Sequence, residues 1–423
     1  MDKVFMPAKL QGVMHAPASK SGAHRSIICA GLTAGETRLT DVVPSEDMAA
    51  TRRCMTALGA SIREDGEGLV ICGGSSRKDV LPLLDCGESG STLRFFVPLA
   101  LTIAGGAVFR MHGRLGQRPM EVYRDLFVPR GVHWRMGVGA DCSAELTVAG
   151  RMEAGHYELP GNVSSQFVSG LLFALPLMQG ESTLKVLPPV ESAGYIRMTL
   201  EALRASGIAV KETAPYCWTI PGGQQYRMTG GRISGDYSQA AVFLCAAALG
   251  HDVTVAGLEE RTTQGDRMIL KHLAALGAKV EESEQGIRVL PGKMHGATLD
   301  MHNTPDLAPM LALTCQLIPG ESRLTGCARL RLKECDRLKE TVRLLNALGG
   351  MARVDGDDMV ITGRETLRGG ATVDGCGDHR MVMLAAMAAS FCQKPVTVTG
   401  AEAVDKSWPD FMDVYKSLGG QAE

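Results

Sequence analysis

The chain has 423 residues, 45% of them hydrophobic and 21% charged, with a net charge of −2. That is the composition of a soluble globular protein with enough apolar content for one or two large cores. The near-neutral balance excludes a global pull toward nucleic acid or a membrane surface. The twelve cysteines are scattered, with no C-x-x-C and no Cys/His cluster at metal-ligand spacing. No metal is expected, and the thiols read as small buried hydrophobes in a reducing compartment. The opening "MDKVFMPAKL" has no apolar signal region, and no window approaches the roughly 18 apolar residues of a membrane span. A cytoplasmic location follows as an expectation.

In chain order, one unit is written six times. A polar or charged opening precedes a helix of small and apolar residues, and an amphipathic helix then ends at a glycine before short strands. The first unit opens on "SKSGAHR", with Lys20, Ser21, His24 and Arg25, runs into "RSIICAGL", and turns at Gly59 in "MTALGASI" before the strand "GLVIC". The second opens on "CGESGSTLR", where Gly87 and Gly90 permit close backbone approach and Arg94 follows Gly90 by four. It carries Arg118 in "GQRPME" and turns at Gly131. The third opens on "GNVSSQF", with the neutral donors Ser164, Ser165 and Gln166, turns at Gly207, and ends on the strand "YCWTI".

After the Gly-rich "MTGGRISG" at 228–235, the fourth unit opens near Ser238, turns at Gly277 and ends on "GIRVL". The fifth opens on "TPDLAPM" with Asp306 and carries Lys333, Glu334, Asp336 and Arg337 in "RLRLKECDRLKE". It turns at Gly349 and ends on "DMVIT". The sixth opens on "GDHRM", with Asp378, His379 and Arg380, and closes through "DKSWPD", with Lys406, and Gly419. The turn glycines recur every 70–76 residues and the openings every 68–74. Each glycine is placed to end a helix in the left-handed conformation. A helix apolar nearly all round is a buried helix. Alternating strands and helices predict an α/β fold.

Taken singly, each opening is a capped helix and "RLRLKECDRLKE" a solvated amphipathic face. Taken together, six equivalent helices point their positive N-termini the same way. They carry Lys20, Arg25, Arg94, Arg118, Lys333, Arg337, Arg380 and Lys406, which suit a strongly anionic guest. Asp306 and Glu334 are the candidates for proton transfer among those cations.

The motifs "SKSGAHR", "GESGSTLR", "QRP", "SSQF", "TPDLAP", "KECDR", "DHRM" and "KSWPDF" resemble those of the 5-enolpyruvylshikimate-3-phosphate (EPSP) synthases, in order and spacing, along essentially the whole chain. The resemblance implies two α/β domains, each of three βαβαββ-like units with parallel buried helices, of the inside-out α/β barrel type. One would span 15–232 and the other 1–14 plus 233–423, with the active site in the cleft between them; the two-by-three organisation, with candidate ligands in both halves, adds the expectation of closure on substrate. It implies transfer of the enolpyruvyl group of phosphoenolpyruvate (PEP) to the 5-hydroxyl of shikimate-3-phosphate, by addition and elimination without metal or cofactor, on the shikimate pathway to chorismate and aromatic amino acids. By matching motif, Lys20, Ser21, Arg25, Ser164, Ser165, Gln166, Ser192, Tyr195, Asp306 and Lys333 would hold shikimate-3-phosphate. Lys20, Gly90, Arg118, Gln166, Arg337, Arg380 and Lys406 would hold PEP. Asp306 would handle the hydroxyl proton and Glu334 the methylene proton, with Lys20 assisting. The inhibitor glyphosate is expected at Gly90, and the chain is expected to act as a monomer with small-molecule partners, no nucleic acid and no membrane. Glu88 departs from the asparagine of many members, and Arg329 stands where some members use asparagine toward the substrate phosphate.

Two other readings stand beside this one. UDP-N-acetylglucosamine enolpyruvyl transferase shares the repeat architecture but uses a loop cysteine where this chain has Gly113. A non-catalytic anion-binding protein would need the cations but not both carboxylates.

Overall fold

The computed structural model describes residues 1–66, 68–74 and 80–423. The chain divides into two compact units, Ala18–Ile233 (the N-terminal unit) and Met1–Pro17 with Ser234–Glu423 (the C-terminal unit). The family resemblance implied crossings at 14/15 and 232/233; in the structure the chain passes between the two units at 17/18 and 233/234. His15 therefore ends a strand of the C-terminal unit, ahead of the crossing.

Six inner helices begin close to the predicted openings. They are α1 (Lys20–Leu32), α2 (Gly90–Ile103), α3 (Ser165–Ala174), α4 (Tyr237–Ala248), α5 (Ala308–Gln316) and α6 (His379–Ser390). Every residue of α4, α5 and α6 is buried, as an all-round apolar sequence requires. Five starts are capped by a side chain: Ser19, Ser89, Ser164, Asp236 and Asp378 each accept a backbone N–H of the first turn. The fifth helix differs from expectation. Asp306 does not cap it but lies in a single 3-10 turn, Pro305–Leu307, ahead of α5. The prolines at 305 and 309 fall where a first-turn N–H has no intrahelical partner anyway.

The glycines at 59, 131, 207, 277, 349 and 419 all have positive φ, from 75° to 117°, and each follows an outer helix. Around each inner helix the strands share one order. A leading strand runs parallel to the next, and an antiparallel pair completes the sheet. In the second unit these are Leu83–Asp85, Gly106–Met111, Ala144–Ala149 and His133–Val138. The predicted strands at 68–72, 216–220, 286–290 and 358–362 all fall on the third strand of this spatial order.

Two leading strands come from far along the chain. Gly231–Arg232 pairs parallel with Gly35–Thr40 in the first unit, and Gln11–His15 pairs parallel with Asp252–Ala256 in the fourth. The sixth unit is completed by the N-terminus. Lys3–Phe5 runs antiparallel to Val396–Thr399, and Phe5 bridges Ala422.

Each unit has its own apolar core. Within the N-terminal unit, α3 approaches α2 at Gly170, where an added Cβ would lie 2.3 Å from Tyr123 Oη and 2.4 Å from the Arg94 carbonyl oxygen. Only glycine permits that approach, which sets the starts of the two helices side by side. The cysteines are less uniform than expected: eight are buried, but Cys72 and Cys142 are exposed and Cys217 and Cys376 half-buried.

Burial also fixes three neutral histidines, at 24, 251 and 272. His251 Nδ1 accepts from the Leu10 N–H at 3.1 Å, so Nε2 carries the proton and faces Ser390 Oγ at 2.9 Å. Burial, then the charge of Lys9, lowers its pKa from 6.5 to about 4. Below pH 6.5 the unfolded chain takes up a proton that the folded chain refuses. Stability is therefore lost as pH falls from 6.5 toward 4, by about 1.4 kcal/mol per pH unit from this residue. Urea denaturation at pH 7 and pH 4.5 should show the loss, and His251→Gln, which carries an acceptor and a donor but does not titrate in this range, should remove about one proton from the slope.

Candidate active site

In the N-terminal unit, the first turns of α1, α2 and α3 are laced together. His24 Nδ1 meets Thr51 Oγ1 at 2.6 Å, and Thr51 meets Thr92 at 2.8 Å. Arg94 Nη1 donates to Gln166 Oε1 at 2.6 Å, and Gln166 Nε2 donates to Ser91 Oγ at 2.8 Å. The Arg94 guanidinium lies 5.0 Å over the Phe167 ring, and its Nη2 donates to the Pro119 carbonyl at 3.2 Å. Arg94 thus ties the Gln166 side chain to the loop that carries Arg118. A Cβ on Gly90 would lie 2.8 Å from Arg118 Nη1 and 3.7 Å from Gln166 Oε1. Gly90, Arg118 and Gln166 are brought together as predicted. Arg94 joins them, although only its place among the cations was legible beforehand.

Lys20 Nζ lies 2.8 Å from Asp47 Oδ2. Asp47, a first-turn acid of the helix Glu46–Ala57, has an ordinary dipole reading in sequence, and nothing local marks it as a partner of Lys20. Arg25 points into protein. It donates to the carbonyls of Ser21 (2.5 Å) and Tyr195 (2.9 Å) and to Thr199 Oγ1 (2.9 Å). Burial lowers its pKa to about 10, so it stays charged at neutral pH. Two of its five N–H groups hold the backbone at Ser21 and Tyr195, and a third goes to Thr199. Ser192 is fully buried with φ 54° and ψ 39°, a left-handed conformation unusual for serine, and starts the helix Ala193–Ala205. Ser164 caps α3 and Ser165 is its first, buried residue.

In the C-terminal unit one guanidinium organises the cluster. Arg337 is 2% exposed. Its Nε and Nη2 grip both oxygens of the wholly buried Asp378, at 2.7 and 3.1 Å. Its Nη1 donates to Asp306 Oδ1 at 2.8 Å, and Nη2 also donates to Glu334 Oε2 at 2.5 Å. Lys333 Nζ reaches Asp306 Oδ1 at 2.9 Å, and Arg380 Nε lies 3.9 Å from the same oxygen. Arg380 also donates to the hydroxyl and carbonyl of Ser238, so the starts of α4 and α6 and the Asp306 turn meet at one place. Lys406 Nζ donates to the Gly377 carbonyl at 2.8 Å.

The electrostatics follow from this packing. Burial would raise the Asp306 pKa, but Lys333, Arg380 and Arg337 outweigh it and hold the carboxyl well below its usual range. Burial pulls Lys333 down. Burial also opposes the charge on Arg337, yet Asp378, Glu334 and Asp306 hold its pKa well above normal. The segment 329–340 is therefore no solvated helix. A 3-10 turn, Ala328–Leu332, precedes the helix Arg337–Ala347, and Lys333, Glu334 and Arg337 turn inward.

Glu88 is turned against Gly113, where a Cβ would lie 2.5 Å from Glu88 Oε2. Gly113 also has φ 54°, so that loop position admits no larger side chain without rearrangement.

Repeated α/β units with cations clustered at the inner-helix starts, and carboxylates set among them in the C-terminal unit, suit the handling of an anionic substrate. The chain matches the family model "EPSP synthase (3-phosphoshikimate 1-carboxyvinyltransferase)" over residues 4–415. It is 39% identical over 417 residues to the 3-phosphoshikimate 1-carboxyvinyltransferase of Clostridium kluyveri, covering 99% of this chain and 97% of that protein. The protein of that name from Clostridium perfringens strain 13 is 37% identical, with 99% of each chain covered. Among solved structures, EPSP synthase from Acinetobacter baumannii superimposes with a TM-score of 0.80 at 24% identity, over 100% of this chain and 99% of that one. The enolpyruvyl transferase NikO from Streptomyces tendae gives 0.77 at 18% identity, over 100% and 98%. The chain belongs to the EPSP synthase family.

Breaking a buried ion pair from one side leaves a bare buried charge. Arg337→Met should therefore destabilise the C-terminal unit by about 3–5 kcal/mol. Lys20→Met, at a partly exposed pair with Asp47, should change stability by no more than about 1 kcal/mol. Urea denaturation of the two variants beside the parent measures the difference.

Proposed function

We propose that the protein transfers the enolpyruvyl group of PEP to the 5-hydroxyl of shikimate-3-phosphate, releasing phosphate, as a cytoplasmic enzyme of the route to chorismate. The observation that carries the reading is that Asp306 and Glu334 are held on the two Nη atoms of one buried arginine, Arg337. A non-catalytic anion trap has no use for two carboxylates at the heart of its cation cluster. The UDP-N-acetylglucosamine reading is disfavoured at Gly113, where the loop thiol of that family has neither a counterpart nor room beside Glu88.

In the proposed reaction the 5-hydroxyl oxygen bonds to C2 of PEP as its proton passes to Asp306, and Glu334 delivers a proton to the methylene carbon. The tetrahedral adduct then loses that carbon's proton and phosphate together, which restores the double bond. Lys20, Gly90, Arg118, Gln166, Arg337, Arg380 and Lys406 are the proposed PEP ligands. Ser21, Arg25, Ser164, Ser165, Gln166, Ser192, Tyr195 and Lys333 are proposed for shikimate-3-phosphate, with Arg25 acting through the backbone it holds. Among three cations Asp306 is a weak base. Each cation drawn to a substrate phosphate or carboxylate oxygen leaves it a stronger one, so basicity rises when the anions arrive. Clamping by arginine and lysine also stabilises the departing phosphate.

The test is phosphate release from PEP that requires shikimate-3-phosphate. Asp306→Ala should fold but lower kcat by about 10²–10⁴; near-normal turnover would remove its role. Glyphosate is proposed to compete with PEP beside Gly90. In Gly90→Ala the new methyl would press on Arg118 Nη1, so we expect glyphosate inhibition weakened by about tenfold or more, equivalent to about 1.4 kcal/mol. An unchanged inhibition constant would refute this placement.

A further inference from the structure

Lys20, a proposed ligand of PEP, is held by a carboxylate that lies outside the proposed ligand sets. Its Nζ is 2.8 Å from Asp47 Oδ2, with the two side chains 21% and 17% exposed. Lys20 is the first residue of α1, where the helix dipole disfavours a cation. Its flexible four-carbon stem gives it no preferred direction there. Asp47 lies in the first turn of the helix Glu46–Ala57, where the same dipole favours an acid. The carboxylate is therefore well placed on its own helix, and the ammonium is placed by the carboxylate.

The pair is one rung of a seam between these two helices. Four residues on along each, and so on the same faces, His24 Nδ1 meets Thr51 Oγ1 at 2.6 Å. Farther along, a Cβ on Gly31 would lie 2.3 Å from Met55 Cε, so the helices stay in close contact. From Thr51 the hydrogen bonds continue into α2. Thr51 meets Thr92 at 2.8 Å, and Thr92 Oγ1 donates to Ser89 Oγ, the cap of α2, at 2.8 Å. That order assigns the protons. Thr92 spends its O–H on Ser89, so it accepts from Thr51, and Thr51 in turn accepts from His24 Nδ1–H. None of these four side chains is more than 2% exposed. A buried chain whose donors all run one way fixes the helix Glu46–Ala57, and Asp47 with it, against the starts of α1 and α2.

We propose that Asp47 is a positioning residue, which sets the Lys20 ammonium for the departing phosphate of PEP. The role rests on the function proposed above. Asp47 acts through Lys20 and touches no substrate atom itself. An ammonium has three N–H donors, so a bond to Asp47 orients Nζ without consuming it. A cation held in place before the reaction needs no reordering as charge develops on the leaving group. The other proposed PEP ligands do not depend on Asp47. Its loss should therefore be felt in the chemical step more than in binding.

Phosphate release at varied substrate concentrations tests this. Asp47→Ala should lower kcat by about tenfold or more, while the KM of each substrate changes by less than about threefold. Asp47→Asn, which keeps the shape and an acceptor, should bring kcat back to within about threefold of the parent. A loss carried by KM instead of kcat overturns the proposal. So does an Asn variant as slow as the Ala variant, or an Ala variant within about twofold of the parent, whatever its urea midpoint. A parent that releases no phosphate with both substrates present fails the proposed function instead. Positioning is then read from Lys20 itself, by labelling with pyridoxal phosphate and borohydride followed by peptide mass analysis. An amine held on a carboxylate is a poorer nucleophile than a loose one, so Asp47→Ala should label at Lys20 about threefold faster or more. An unchanged labelling rate overturns the positioning role.

Discussion

The C-terminal unit is organised around the Arg337 guanidinium. Arg337 is the first residue of its helix, where the dipole disfavours a cation, and it is buried, which disfavours any charge. It is stable there because Asp378, Asp306 and Glu334 each take part of its fork. The dependence is mutual. Asp378 has no solvent exposure and caps α6, so its charge requires the bidentate grip that Arg337 supplies. Without that pair, the buried start of α6 loses its charge partner, and the turn carrying Asp306 keeps Lys333 and the longer contact to Arg380.

The two units answer the same electrostatic problem differently. In each, inner-helix N-termini converge, and each carries a positive field. The C-terminal unit caps α4 and α6 with aspartates and places Asp306 beside α5, so its cations face acids already in position. The N-terminal unit caps α1, α2 and α3 with serines, which satisfy N–H groups without adding charge. Its helix field and its Lys20, Arg94 and Arg118 are left less compensated by caps. This unit is better suited to supply attraction for an anion, and the other to supply proton transfer.

Much of this was legible because it is periodic. A glycine after each outer helix and a polar opening before each inner one recur at nearly constant spacing, so the six repeats and the helix starts follow from counting. The resemblance of motifs then assigned residues within them. What the sequence hid is non-local. Nothing near Asp47 marks it as the partner of Lys20, and nothing near Asp378 names Arg337, 41 positions away, as its counter-ion. Arg94 reads as one cation among many until Gly170 lets α3 close on α2 and places Gln166 on its fork.

The leading strands show why the chain is not simply two halves in tandem. Gln11–His15 precedes α1 in sequence but belongs to the sheet of the fourth repeat, and Gly231–Arg232 precedes α4 but belongs to the sheet of the first. The N-terminal unit is thus an uninterrupted segment inserted into the C-terminal one. Within the C-terminal unit the two ends of the insertion are tied together, since the Asp236 N–H donates to the Pro17 carbonyl at 2.9 Å. Each crossing runs directly into an inner helix. Pro17 is followed by the Ser19 cap and then Lys20 and Ser21; Ile233 is followed by the Asp236 cap and then Ser238, which holds Arg380. Each crossing therefore lies within a few residues of a capped first turn that carries or holds residues proposed to touch substrate.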